Sequence, residues 1–223
     1  MAKSILSSLV LLGTLPVAAA VGLSRYRDFQ LGASLPAIAK QVDLEPSAAK
    51  AIHRRPALIQ ELEWHPQPLG PSSRTEAVED VVFSFFDGSL FRIAVSYDRH
   101  ETEGLTPDDF VEAISATYGP AVRPIGKVTT ERGPYGGQEE VVARWEDPAY
   151  RFELIRTSYG PSFKLVAVLK TLDAQAQAAS LEAKRLDDLE APQRDAARVA
   201  NEEESAKAEL EKARLVNKPK FRM

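Results

Sequence analysis

The sequence predicts an α+β protein: two helix-plus-antiparallel-sheet units in tandem, followed by a long charged C-terminal helical tail. Three observations carry this reading. Alternating apolar residues flank the pair Asp87-Gly88, the pattern of a β-hairpin with a tight turn. Helix-start signals precede strand-like runs twice, at Ser34 and at Thr106, 72 residues apart. From Leu172 onward the chain turns to alanine and charge, with no glycine.

The first twenty residues read as an export signal. Lys3 precedes an apolar run from Ile5 to Ala20 that ends in Ala18-Ala19-Ala20, small residues suited to a cleavage site. The predicted location is periplasmic or otherwise extracytoplasmic. The alternative is an inner-membrane anchor left uncleaved, since Ile5 to Leu23 is nineteen residues, near the span of a bilayer. Ser7, Ser8, Thr14 and Pro16 weaken that alternative by lowering apolarity.

The first unit is assigned to residues 21–98. Ser34 is placed as a helix cap, with Leu35, Ile38 and Val42 at helical spacing and Pro46 ending the element. A second short helix is predicted from Ser47 to His53. Leu58, Leu62 and Trp64 then fall on one face of an alternating run, a strand half exposed to water. Pro66 to Arg74 is a proline-rich loop. In the hairpin, Val81, Phe83 and Phe85 are matched by Phe91, Ile93, Val95 and Tyr97.

The second unit is assigned to residues 99–171. Thr106 caps a helix with Pro107 at its first position and Asp108 and Asp109 favouring its positive end. Phe110, Ile114 and Tyr118 share a stripe, Gly119 ends the helix and Pro120 forbids its continuation. A glycine-rich loop spans Arg123 to Gln138. Strands are predicted at Glu140–Trp145, Tyr150–Thr157 and Phe163–Lys170, with a Tyr159-Gly160-Pro161 turn.

The two units read as copies. The caps Ser34 and Thr106, and the turn glycines Gly88 and Gly160, share the 72-residue offset, and each first strand ends in a tryptophan followed shortly by proline. Leu31-Gly32-Ala33-Ser34-Leu35-Pro36-Ala37-Ile38 resembles the opening of the small envelope module called SmpA/OmlA, or BamE-like. Phe86-Asp87-Gly88-Ser89-Leu90 resembles its hairpin, and Tyr118-Gly119-Pro120 its helix end. Two such units in tandem are also the architecture of β-lactamase inhibitor proteins. The resemblance covers roughly Phe29 to Lys170 and implies a protein-binding scaffold rather than a catalyst. It does not extend to lipid anchoring, because the chain has no cysteine, nor to the first helix end, which is Leu44-Glu45-Pro46.

The tail, residues 172–223, carries acid–base pairs at helical spacing: Glu182/Arg185, Glu190/Arg194, Asp195/Arg198, Glu203/Lys207, Glu209/Lys212 and Glu211/Arg214. Pro192 is expected to divide it into one helix to about Glu190 and another from about Gln193 to Val216. Leu172, Ala176, Ala179, Ala183 and Leu186 form a thin apolar stripe that does not persist as a heptad seam through Pro192, which argues against a strong coiled coil. Glu182 to Glu204 holds eight acids against four bases, and Lys207 to Met223 six bases against two acids. That polarity marks Lys218, Lys220 and Arg222 as candidate partner-binding residues, for an acidic envelope protein or an anionic membrane surface.

The chemistry is otherwise sparse. A net charge of −4 argues against nucleic acid as a partner. Without cysteine there is no disulfide or thiolate site. His53, His65 and His100 lack ligand spacing, and Gly133-Pro134-Tyr135-Gly136-Gly137 lacks the lysine of a phosphate loop. No catalytic residue, metal or cofactor is assigned. The expected function is a non-catalytic protein-binding module. The alternative is a small-ligand carrier or enzyme using a groove between the units, lined by Arg54, Arg55, His100 and Glu101.

Overall fold

The computed structural model describes residues 22–66, 77–124, 129–130, 139–157 and 163–220. The export segment, the Tyr159-Gly160-Pro161 turn, most of the Pro66–Arg74 and Arg123–Gln138 loops, and Arg222 lie outside these residues.

The chain opens with a small two-stranded ribbon, β1 (Arg25–Tyr26) and β2 (Phe29–Gln30), and the helix α1 (Leu35–Gln41). Strands β3 (Lys50–His53), β4 (Ile59–Trp64), β5 (Val78–Phe86) and β6 (Ser89–Tyr97) follow. Next come α2 (Pro107–Tyr118), then β7 (Thr129–Thr130), β8 (Glu139–Glu146), β9 (Tyr150–Thr157) and β10 (Phe163–Leu169). A single helix, α3 (Lys170–Asn217), and a 3₁₀ turn at Lys218–Lys220 complete it. The last eight strands form one antiparallel sheet in the order β3-β4-β5-β6-β10-β9-β8-β7. The α+β class is therefore observed, with β6 against β10 at the centre.

Most sequence signals act as expected. Asp87 and Gly88 both take positive φ, 45° and 79°, which a two-residue hairpin turn requires. Asp87 does more than turn the chain: its Oδ1 accepts from the Leu58 N–H at 2.9 Å and its own N–H donates to the Leu58 carbonyl, fixing the start of β4. At α2 the Thr106 hydroxyl accepts from the Asp109 N–H and the Asp109 carboxylate accepts from the Thr106 N–H, a reciprocal capping box. Gly119 ends α2 with φ 86°.

The sheet is covered on both sides. One face carries Leu62, Phe83, Phe85, Ile93, Val95, Phe152, Leu154 and Leu165 against α1, α2 and the β1–β2 ribbon, in one core continuous across both halves of the sheet. Phe29 from the ribbon stands edge-on to Phe83 and Trp64 at 4.8 and 5.8 Å. On the other face, Ile59 and Phe91 are buried under Ala176 and Ala179 of α3, with Phe86 and Leu172 beside them. A smaller cluster of Ile155, Val166 and Val168 lies further along that face.

Four expectations are corrected. Ser47–His53 is not a helix: a 3₁₀ turn over Pro46–Ala48 leads into β3, whose Lys50 and Ala51 pair with Glu61 and Gln60. The gain is a paired outer strand for β4, which local helix signals cannot anticipate. Ser34 stands at the N-cap of α1 as expected, but its side chain makes no cap bond. Instead the hairpin turn satisfies the helix start, through Leu35 N–H to the Gly88 carbonyl at 2.9 Å, and α1 ends by Gln41, before Pro46. Phe91 does not share a face with Ile93, because the register shifts between Ser84 and Phe85 and this bulge turns Phe91 toward α3. Finally, α3 is not divided at Pro192 but runs through it. The proline deletes the N–H that would bond the Asp188 carbonyl, and its ring crowds that turn. One residue earlier, the Arg194 guanidinium donates to the Asp187 carbonyl at 2.8 Å.

Candidate functional site

The distal part of α3 is a long exposed run. Its beginning is tied down because it leaves β10 without a linker: the Lys170 N–H donates to the Ala149 carbonyl at 2.9 Å, and its Nζ meets the Glu146 carboxylate at 3.2 Å. Asp173 faces Arg151 at 3.7 Å, and Ala176, Ala179 and Ala183 turn their small side chains onto the sheet. The apolar stripe read from the sequence is thus the docking edge of this helix.

Among the described residues, the last attachment to the body is Arg55. From the β3–β4 connection its guanidinium forks onto Glu190, both N···O distances 2.6 Å, and touches Asp187 at 3.3 Å. The hydrogen bonds that Arg55 donates hold Glu190 below its ordinary carboxylate range, and the accepting carboxylate raises Arg55 in turn. Of the expected pairs, Glu182/Arg185, Asp195/Arg198 and Glu211/Arg214 form at 2.6, 3.7 and 3.1 Å. Glu190/Arg194 does not, since Glu190 is committed to Arg55 and Arg194 turns to Asp187 at 3.6 Å. Glu203/Lys207 and Glu209/Lys212 do not form either: these side chains are exposed, where pairing gains little over hydration.

Beyond Ala191 every helical residue from Pro192 to Asn217 is exposed. At 1.5 Å per residue this is an arm of about 39 Å. Lys218 and Lys220 lie together in the terminal 3₁₀ turn beside Arg214. Leu189, Val199, Leu210 and Leu215 stand out along the arm with 45 to 72% of their surface exposed. Among the described residues no helix is long and apolar enough to cross a membrane.

A cleft of about 650 Å³ is lined by Arg99, His100, Glu103, Leu105, Arg156 and Phe163 among others, between the turn after β6 and the facing ends of β9 and β10. The four residues expected to converge on a groove do not do so: His100 lines this cleft, Glu101 does not, and Arg55 is engaged with α3. Arg54 is exposed in the β3–β4 connection and lines no described cavity with them. Arg99 and Arg156 were not foreseen, being scattered in sequence and joined by the β6–β10–β9 pairing.

The remaining perturbed groups have structural causes. Backbone N–H groups of Glu101 and His100 lower Asp98 within a tight turn. The Thr106 hydroxyl and N–H lower Asp109 at the cap. Burial raises Tyr97, whose hydroxyl bonds Tyr26, and also Tyr118. No group of three or more His, Asp or Glu side chains among the described residues is placed to hold a metal ion. Comparison with protein-family models, curated proteins and solved structures finds no match to this chain.

Proposed function

We propose that the protein is a non-catalytic scaffold of the cell envelope that binds other proteins, with α3 as its docking arm. The observation that carries this reading is the arm itself: Pro192 to Asn217 is helical, exposed throughout, and charged with opposite sign at its two ends. A 26-residue helix without a packed face gains nothing from the fold to which it is attached, so its use lies in contact with something else. The envelope location rests on the order of charge, apolar run and small residues in the first twenty positions.

The scaffold is read as two like units sharing one sheet. Each half supplies a helix followed by four strands, and the last strands, β6 and β10, meet at the centre. Trp64 on β4 and Trp145 on β8 then occupy equivalent strands, second from each edge, both turned to the helix-covered face. This arrangement supports the tandem reading and the likeness to SmpA/OmlA modules. The acidic-partner reading assigns Lys218, Lys220 and Arg222 to the contact.

The test is a crosslinked pull-down from envelope fractions with the full chain, a chain ending at Ala191, and a variant with Lys218, Lys220 and Arg222 changed to Glu. Loss of a partner in both altered chains is expected. Retention of the same partner by the chain ending at Ala191 overturns the arm. The cleft at Arg99 and Arg156 favours a second reading, a small anionic ligand, and that reading requires a ligand whose binding is lost in Arg156→Ala.

A further inference from the structure

We propose that the free half of α3 pairs antiparallel with the same segment of a second copy, joining two molecules by their arms. This rests on the docking-arm reading and names its partner. The row Leu189, Ala196, Val199, Ala206, Leu210 and Ala213 is spaced by seven, three, seven, four and three residues; with Pro192 and Glu203 standing in the two gaps of seven, it keeps the period of a heptad seam. This row is displaced by one residue from the stripe that meets the sheet, so it begins where Ala176, Ala179 and Ala183 have already used the other face. Leu189, Val199 and Leu210 are its large members, exposed by 61, 45 and 72%.

Charge decides the direction. From Asp187 to Glu204 the arm carries seven acids and two bases, and from Lys207 to Lys220 five bases and two acids. Parallel pairing would set like against like. Antiparallel pairing sets each acidic stretch against a basic one. Within that direction, seating seam positions opposite one another places Val199 against Leu210 of the second copy, Ala196 against Ala213 and Glu203 against Ala206. The same register puts Pro192 against Asn217, so it is centred between Glu204 and Ser205 and overlaps the whole exposed segment with itself.

Seam, charge and exposed length thus agree on one alignment. Glu203 is the charged residue in the seam, and Lys207 of the second copy lies beside Ala206, within reach of its long side chain. Neither Glu203 nor Lys207 has an ion-pair partner among the described residues.

Sedimentation equilibrium of the full chain is expected to give a monomer–dimer equilibrium. Leu210→Asp, at an exposed position, is expected to leave the circular dichroism of the monomer nearly unchanged while raising the dissociation constant by about a hundredfold or more. Glu203→Leu fills the seam and is expected to tighten the dimer. The cysteine-free chain allows the register to be read directly: a mixture of Val199→Cys and Leu210→Cys is expected to crosslink between unlike chains. A protein that stays monomeric up to roughly millimolar concentration, or a Val199→Cys variant that crosslinks to itself in preference, overturns the proposal. If the protein is monomeric but the chain ending at Ala191 still loses an envelope partner, self-pairing fails and the docking arm stands. If it is monomeric and no partner is lost, both fail.

Discussion

The Trp145 indole N–H donates to the Gly119 carbonyl at 2.9 Å and approaches the Ser115 hydroxyl at 3.3 Å, so one side chain of β8 closes the end of α2. Trp145→Phe keeps most of the buried ring but leaves both oxygens without this donor. A loss of about 2 kcal/mol is expected, read as a fall in Tm on the order of 5 °C by calorimetry. Tyr97 gives a second handle. It is buried against Phe110 at 5.3 Å and bonded to Tyr26, and this burial raises its folded pKa above the ordinary value of about 10. The sign follows from linkage: its contribution is complete below about pH 10 and is lost as pH rises toward the folded value. Tyr97→Phe is expected to flatten the fall in stability above about pH 10, as measured by urea unfolding across that range.

Among the elements, α3 is held by apolar packing at its start and by charge where it leaves the body. The Arg55–Glu190 contact is exposed, and Glu190 is depressed, so this anchor is present above about pH 4.3 and lost as pH falls through the lower folded value. Arg55→Ala is expected to speed amide hydrogen exchange around Asp187 to Ala191 at neutral pH while leaving exchange around Ala176 and Ala179 unchanged. In the wild type, acid is expected to reproduce the effect. Pro192→Ala restores a donor to the Asp188 carbonyl and is expected to slow exchange at the same turn. The helix shows what sequence conveys well and poorly. The Thr106–Asp109 capping box, the Asp87-Gly88 turn and the alternation of Val81, Phe83 and Phe85 were legible because each is set by neighbours within a few residues. α3 runs through Pro192 where the local rule predicts a break, β3 depends on pairing with β4, and the Arg55 anchor on a partner 135 residues away. The inward turn of Phe91 depends on a bulge that a strict period of two cannot express.

For the molecule as a whole, α3 is two things joined end to end: a cover for the sheet up to about Ala191 and an arm beyond it. A chain ending at Ala191 is expected to melt within about 2 °C of the full chain, since the described residues from Pro192 to Lys220 are all exposed. A chain ending at Leu169 uncovers Ile59 and Phe91 and is expected to lose at least about 3 kcal/mol, with exposed apolar surface detected by dye binding. The candidate site was legible as composition and charge polarity. Its boundary was not, because the same alanine-rich pattern serves both the covered and the free part.

The pairing at the centre of the sheet has a consequence for how the protein is made. Val95 on β6 finds its partner in Leu165 on β10, 70 residues later, and five such registers run along the two strands. During synthesis, β5 and β6 can form their hairpin early, yet the free side of β6 keeps its backbone donors and acceptors unmatched until nearly the whole sheet region has emerged. In that interval Ala94, Val95 and Ser96 form an open edge in the middle of what will be the core, a template for any other extended chain nearby. The slow step in folding is therefore expected to be closure of this long loop rather than formation of either helix, and the nascent protein is most exposed to misassociation just before its central strand arrives.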